Sequence, residues 1–333
     1  MLTVLVVFGS LLVLGGYWLG REFGTPYYGA PQAETFVDIP RGSTTGAIAD
    51  LLTDAGVIHS QFPFRIYARW SGTGRRFQAG EYRFDAPATP VQVAQRLIQG
   101  DVFFRSVTIP EGLTAEETID LLSRNGLGNI EEMGLALHRT EWIREIAPGA
   151  DTLEGYLFPD TYRFSRKATS EQVLHTMVDQ FRTRMGKLLA EQPLPPGWQI
   201  EGLVTMASLI EKEVGIKEER PKVASVFYNR LRKRIPLACD PTVIYALKQA
   251  GRYDGDIRKA DLQINSPYNT YVHIGLPPGP IANPGLDSLR AALSPANTDF
   301  LYFVSRNDGT HEFSRTYESH QIAVARFQKH LRR

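Results

Sequence analysis

Two carboxyl groups two residues apart, Glu211 and Glu213, close a stretch that reads IEGLVTMASLIEKEV over residues 200–214. At about 100° per residue, a helix gathers Leu203, Met206, Ala207, Ile210 and Val214 into one apolar stripe. Glu213 falls beside that stripe, four residues after Leu209 and three after Ile210. Lys212 points to the opposite face, and Glu211 lies on the other flank near Val204, Ala207 and Ser208. A carboxyl among apolar neighbours holds its proton tightly, because desolvation penalises the charged form. Such a group can act as a general acid near neutral pH. Helical phase alone leaves a plainer reading open, with both glutamates as ordinary surface acids at a helix end.

Other chemistries are narrowed by residue type. Cys239 is the single cysteine, so an intrachain disulfide and a cysteine-based metal site are both excluded. Its plainer role is that of a small buried apolar residue. His273, His311 and His320 lack metal-ligand spacing, and there is no Gly-rich phosphate loop. Neither a metal nor a cofactor is expected. Lys and Arg total 37 against 36 for Asp and Glu, which gives no bulk reason to bind nucleic acid. The longest basic cluster, Arg230, Arg232, Lys233 and Arg234, reads as the solvated end of a helix.

The elements that would position these groups show an internal repeat. Val37-x-Ile39-Pro40-x-Gly42-x-Thr44 recurs 70 residues later as Val107-x-Ile109-Pro110-x-Gly112-x-Thr114. Asp50-Leu51-Leu52 and Gly56 match Asp120-Leu121-Leu122 and Gly126, making nine identities, too many for convergent composition. Each copy reads as an alternating strand stopped at Pro-x-Gly, a Thr cap, and a short helix ended by a left-handed glycine. Between the copies, residues 77–84 alternate like a strand and residues 91–97 form a short helix. Residues 153–164 are aromatic-rich and irregular, and helices follow over about 170–191 and 200–214. Strands over 300–305 and 311–315 meet around Asp308-Gly309, a hairpin signal, and a helix starts near Glu318. Helices alternating with separated strand groups predict an α+β fold.

The chain has 333 residues with 43% hydrophobic and 22% charged content, enough for two or three domains with real cores. Met1 to Gly20 carries no charged side chain and ends at Arg21-Glu22. About 20 apolar residues at 1.5 Å rise span a hydrocarbon core, and Tyr17 and Trp18 suit the interface. A cleaved signal peptide is the rival, but the run is long for one and no A-x-A-like site follows. Gly24 to Ala33 (GTPYYGAPQA) reads as a tether.

With these residues in hand, two resemblances become visible. The strand, Gly-Thr turn and short helix of each repeat copy resemble the LysM peptidoglycan-binding module, with a generic strand–helix scaffold as the alternative. The run LVTMASLIEKEVGIKEERPKVASVFYNRLRKRIPLACDPTVIYAL, then PYNTYVHIGLPPGPIANPG and DFLYFVS, closely resembles the endolytic transglycosylase, or YceG-like, family of the bacterial cell envelope. LEGYLFPDTY and HEFSRTYESH resemble further family segments, so the likeness runs from the N-terminus to about residue 325. It implies that Glu213, the second Glu of the E-K-E run, is the catalytic acid. Asn229, Asp240, Tyr268, Asn269 and Thr270, polar groups in its densest blocks, would orient sugar hydroxyls or N-acetyl groups, and Glu154 would contact substrate. Plainer alternatives stand beside these: a helix N-cap for Asp240, core packing for Tyr268 and Tyr271, and backbone capping for Glu154. The stiff Pro277-Pro278-Gly279-Pro280 loop would form a groove wall. Two departures stand out, Val214 where the family often has Thr and Ala238 where it commonly has Gln.

The implied reaction is lytic transglycosylation of nascent peptidoglycan strands at the bond from N-acetylmuramic acid to N-acetylglucosamine. Protonated Glu213 would donate to the glycosidic oxygen, then accept from the muramoyl C6 hydroxyl, leaving a 1,6-anhydro end. The expected layout is an anchor at 1–22, a linker at 23–34, and a first LysM-like module at 35–105. The second copy with a connecting segment follows at 106–165, then a catalytic α+β domain at 166–333. The protein would sit in the bacterial plasma membrane as a single-pass chain facing the wall, with peptidoglycan synthases as candidate partners. A hydrolytic muramidase and a non-catalytic glycan-binding scaffold are the rivals.

Overall fold

Both repeat copies fold by the same local rules. In the computed structural model, which describes residues 2–27, 29 and 34–328, Gly42 and Gly112 take φ of 81° and 79°. These left-handed values let the chain turn out of each strand. Thr44 and Thr114 then cap the next helix by accepting from the backbone N–H of Ala47 and Glu117. Gly56 and Gly126 end those helices at φ of 70° and 68°. The chain divides into two compact units, Met1–Arg105 and Ser106–Arg333.

The first unit holds α1 (Leu2–Gly24), β1 (Thr35–Ile39), α2 (Thr45–Asp54), α3 (Gln61–Trp70), β2 (Gly80–Phe84) and α4 (Pro90–Gln99). Strands β1 and β2 pair antiparallel, with Val37 opposite Tyr82. Val37, Ile39, Tyr82 and Phe84 face a core made by Ile48, Leu52, Phe64, Val93 and Leu97. Tyr27, in the stretch read as a tether, forms a bridge to Ala88, while Tyr28 and residues 30–33 lie outside the described residues. Among the described residues no helix is long and apolar enough to cross a membrane. Many side chains of the apolar run at residues 1–20 lie outside the described residues.

The second unit holds β3 (Arg105–Thr108) from Ser106 on, α5 (Ala115–Arg124), α6 (Ile130–Ala136), β4 (Thr161–Phe164), α7 (Ser170–Glu191) and α8 (Ile200–Glu213). It continues with α9 (Arg220–Lys233), α10 (Asp240–Gln249), α11 (Leu286–Leu293), β5 (Tyr302–Ser305), β6 (His311–Ser314) and α12 (Tyr317–Phe327). Among the described residues three separate two-stranded sheets, β1–β2, β3–β4 and β5–β6, lie among many helices, and the fold is α+β. One core joins Val107, Ile109 and Leu122 of the second repeat copy to Phe181 of α7 and to Met206 and Leu209 of α8.

Two loops are drawn onto α8. Asn283, fully buried, donates to the Leu113 carbonyl at 3.0 Å and accepts from the Leu157 N–H at 3.0 Å. It thereby ties the second copy's turn to residues 157 and 283. Gly155 sits at φ of 87°, where a Cβ would come within 2.5 Å of Pro280 and 3.0 Å of Val204. Only glycine allows this approach.

Candidate active site

Glu213 is the last residue of α8, and Val214 after it turns extended with its side chain buried. Glu213 itself is half-buried. Its pKa is pushed from 4.5 up to about 7, first by burial and then by the Asp240 charge. A hydrogen bond from the Cys239 thiol and the Arg230 charge pull the other way. The helix C-terminus adds to the upward pressure, since the macrodipole disfavours an anion there. The carboxyl can therefore be protonated and still ionise near neutral pH, as a group that donates and then accepts a proton requires.

The segment facing Glu213 is a clamped elbow. Ala238 adopts φ of 48°, a left-handed conformation uncommon for a residue with a Cβ. Its N–H donates to the Thr270 carbonyl at 3.1 Å, and the Cys239 N–H donates to Thr270 Oγ1 at 3.0 Å. Thr242 Oγ1 donates to the Cys239 carbonyl at 2.7 Å and lies 2.9 Å from Thr270 Oγ1. These bonds over-determine the strained backbone and hold the buried Cys239 thiol against Glu213. Asp240, the exposed first residue of α10, makes no side-chain cap and accepts from the Tyr271 hydroxyl instead.

Arg230 completes this cluster. Its guanidinium donates to the carbonyls of Leu301 and Leu237, each at 2.7 Å, and lies 5.1 Å from the centroid of the Tyr302 ring. It is half-buried rather than part of a solvated helix end, and burial pulls its pKa down. Sequence reasoning missed Arg230 and Cys239 as neighbours of Glu213, because neither shares a helix with it.

A second cluster lies along α10. Glu154 is buried, and both of its carboxylate oxygens accept from the Ala115 N–H, at 3.0 and 3.1 Å. It therefore caps backbone, but that of a helix 39 residues earlier in the chain. The Tyr245 hydroxyl reaches it at 3.4 Å, and the Tyr268 ring lies 4.9 Å from the Tyr245 ring. Burial pushes the Glu154 pKa up to about 8, against those hydrogen bonds. The turn at residues 268–271 links the clusters, with Tyr268 beside Tyr245 and Tyr271 on Asp240.

The remaining polar residues are engaged within the protein. Asn229 donates to the carbonyls of Thr298 at 2.8 Å and Phe300 at 2.9 Å. Asn269, fully buried, donates to Leu262 and Ile264 carbonyls and accepts from the Tyr271 N–H at 3.0 Å. Asn269 and Thr270 thus shape the turn and the elbow rather than presenting free groups. Glu211 pairs with Arg220 at 2.9 Å and accepts from the Gly285 N–H at 2.9 Å, apart from Glu213. The Pro277-Pro278 loop walls a pocket of about 420 Å³ with Trp198, Glu201, Gly202 and Thr205 near the opposite end of α8. Among the described residues no group of His, Cys, Asp and Glu is arranged to hold a metal. His311 pairs instead with Glu219 at 2.7 Å.

Comparison with known proteins returns one family throughout. The YceG-like family model matches residues 37–326. The endolytic murein transglycosylase of Bacillus subtilis (strain 168) is 34% identical, over 95% of this chain and 91% of that protein. The endolytic murein transglycosylase of Streptococcus pneumoniae (serotype 2, strain D39) is 28% identical over 96% of this chain, which spans 64% of that protein's length. A yceG-like protein from Listeria monocytogenes, solved by crystallography, superposes with a TM-score of 0.58 at 32% identity. That match covers 88% of this chain and 100% of the other.

Proposed function

The chain belongs to the YceG-like family, and from that premise we propose that it is a peptidoglycan-cleaving endolytic transglycosylase whose acid and base are one residue, Glu213. The observation that carries this is a half-buried carboxyl whose pKa is raised to about 7. It is held against an elbow that contributes a thiol, a carboxylate and a tyrosine.

Protonated Glu213 donates to the oxygen between N-acetylmuramic acid and N-acetylglucosamine. Its carboxylate then takes the proton of the muramoyl C6 hydroxyl as that oxygen closes on C1. The bond from C1 to the leaving sugar breaks, a 1,6-anhydro ring forms, and no water is consumed. One carboxyl serves both proton transfers, so Glu211 can remain with Arg220. Tyr268 and Asp240 border the site and orient the glycan, while Glu154, Asn229, Asn269 and Thr270 hold the walls that present them. Residues 1–22 act as a single-pass plasma-membrane anchor and 35–105 as a LysM-like module. The catalytic region faces the wall, where nascent strands and their synthases lie.

Mass spectrometry of products from uncross-linked glycan strands tests the reaction. Anhydro ends, one water lighter than reducing ends, are expected. Reducing ends would make the protein a muramidase, and intact strands would leave a binding scaffold.

The pH profile tests the residue. Because kcat/KM reports the free enzyme, its alkaline limb should fall near pH 7, with activity declining as Glu213 loses its proton. Cys239→Ala removes a hydrogen bond that lowers the Glu213 pKa, so the limb should move to higher pH, and Cys239→Ser should restore it. An unmoved limb in Cys239→Ala would mean that the thiol does not tune Glu213.

A further inference from the structure

Residues 59–76 (HSQFPFRIYARWSGTGRR) contain four arginines and no Asp or Glu. This segment comprises α3 and the loop after it. Arg65, Arg69, Arg75 and Arg76 are all exposed, and none forms an ion pair among the described residues. Elsewhere in the first unit, Arg83 pairs with Glu34 and Asp85, and Arg96 pairs with Asp101. Arg65, Arg69 and Arg75 line a wide, open cavity of about 1680 Å³ together with His59 and Phe62, and among the described residues no carboxylate lines it. Trp70, at the end of α3, is 89% exposed, and Phe62, near its start, is 49% exposed.

The place of α3 says what such a surface meets. It packs against α1, and the rings of Trp18 and Phe62 lie 6.3 Å apart. If α1 is the anchor, Trp18 marks the level of the lipid headgroups, where tryptophan is enriched. The start of α3 then lies at that level. An exposed array of arginines beside an exposed tryptophan is the chemistry of an interfacial element on an anionic surface.

We propose that α3 and residues 71–76 form a second membrane contact, with the four arginines on anionic phospholipid headgroups and Trp70 inserted among them. The proposal rests on the reading of α1 as an anchor. It gives the first unit a fixed posture on the membrane. A charge array spread along a helix and loop suits a surface of many phosphates better than the separated carboxylates of stem peptides.

The full chain, reconstituted in vesicles with brominated acyl chains, tests this through tryptophan emission. Vesicles of phosphatidylcholine alone are compared with phosphatidylcholine mixed with phosphatidylglycerol. Subtracting Trp70→Phe isolates Trp70, and subtracting Trp18→Phe isolates Trp18. Both substitutions fall at exposed positions, and a thermal melt checks that each variant folds. The Trp70 component should be quenched only when the anionic lipid is present. Replacing Arg65, Arg69, Arg75 and Arg76 together by Gln should abolish that quenching and leave the Trp18 component quenched. An unquenched Trp70 beside a quenched Trp18 would overturn the second contact while keeping the anchor. Equal Trp70 quenching in both lipids would remove the role of the arginines. If neither tryptophan is quenched, the anchor and the proposal fail together. A shift of Trp70 emission on adding uncross-linked glycan to the neutral vesicles would assign the surface to glycan instead.

Discussion

Replacing Glu213 by glutamine should lower the rate of glycan cleavage roughly 10²–10⁴-fold, the usual range for loss of a positioned general acid or base. Glutamine keeps the shape of the side chain and can still meet the Cys239 thiol, but it has no proton to give and no anion to receive one. The measurement is the rate of new anhydro ends from defined strands, wild type beside variant. A rate within threefold of wild type would move the chemistry away from Glu213, and Glu154, with its own raised pKa, would become the carboxyl to test next.

The same substitution should make the protein more stable, and the sign follows from proton linkage. The Glu213 pKa is raised from 4.5 in the unfolded chain to about 7 in the fold. Between those values the folded state binds the proton more tightly, so stability falls as pH rises through this window. The contribution is fully present below 4.5 and is lost above about 7. Glutamine does not titrate, so the thermal midpoint of Glu213→Gln should gain on wild type as pH rises from 4.5 to 7. No gain would mean that the site is wet enough to leave the carboxyl unperturbed.

How far these features could be read in advance depended on whether one element carried them. Glu213 was legible because helical phase within α8 sets it against Leu209 and Ile210. The repeat was legible because each turn needs its own glycine and threonine. The elbow was not, since Ala238 reaches its left-handed backbone only through bonds from Thr270 and Thr242, which lie elsewhere in the chain. Helix α3 was hidden by Pro63, which normally reads as a breaker. Here it falls in the first turn after the Ser60 cap, where its missing N–H has no partner to lose. Strand β4 was hidden by brevity, for its alternation of exposed Thr161 and Arg163 with buried Tyr162 and Phe164 lasts only four residues.

Glu211→Ala should show the opposite balance, destabilising the protein by about 3–5 kcal/mol, the range for removing one partner of a buried ion pair. The side chains of Glu211 and Arg220 are only 6% and 5% exposed. Arg220 has Glu111 at 3.5 Å as its other acid, and that side chain is 40% exposed. The Nε and Nη1 atoms of Arg220 already lack an acceptor among the described residues, so deleting Glu211 leaves a buried cation almost unpaired. The Gly285 N–H ahead of α11 would lose its acceptor as well. Because α11 packs on α8, the damage would spread along the helix that carries Glu213. Urea unfolding should therefore show a lower midpoint, with cleavage by the folded fraction keeping its wild-type pH profile. Replacing both partners by methionine should recover much of the stability, since an apolar pair has no charge to strand. If Glu211→Ala instead unfolds like wild type but stops cleaving, the two glutamates share the chemistry, and a single-carboxyl mechanism is wrong.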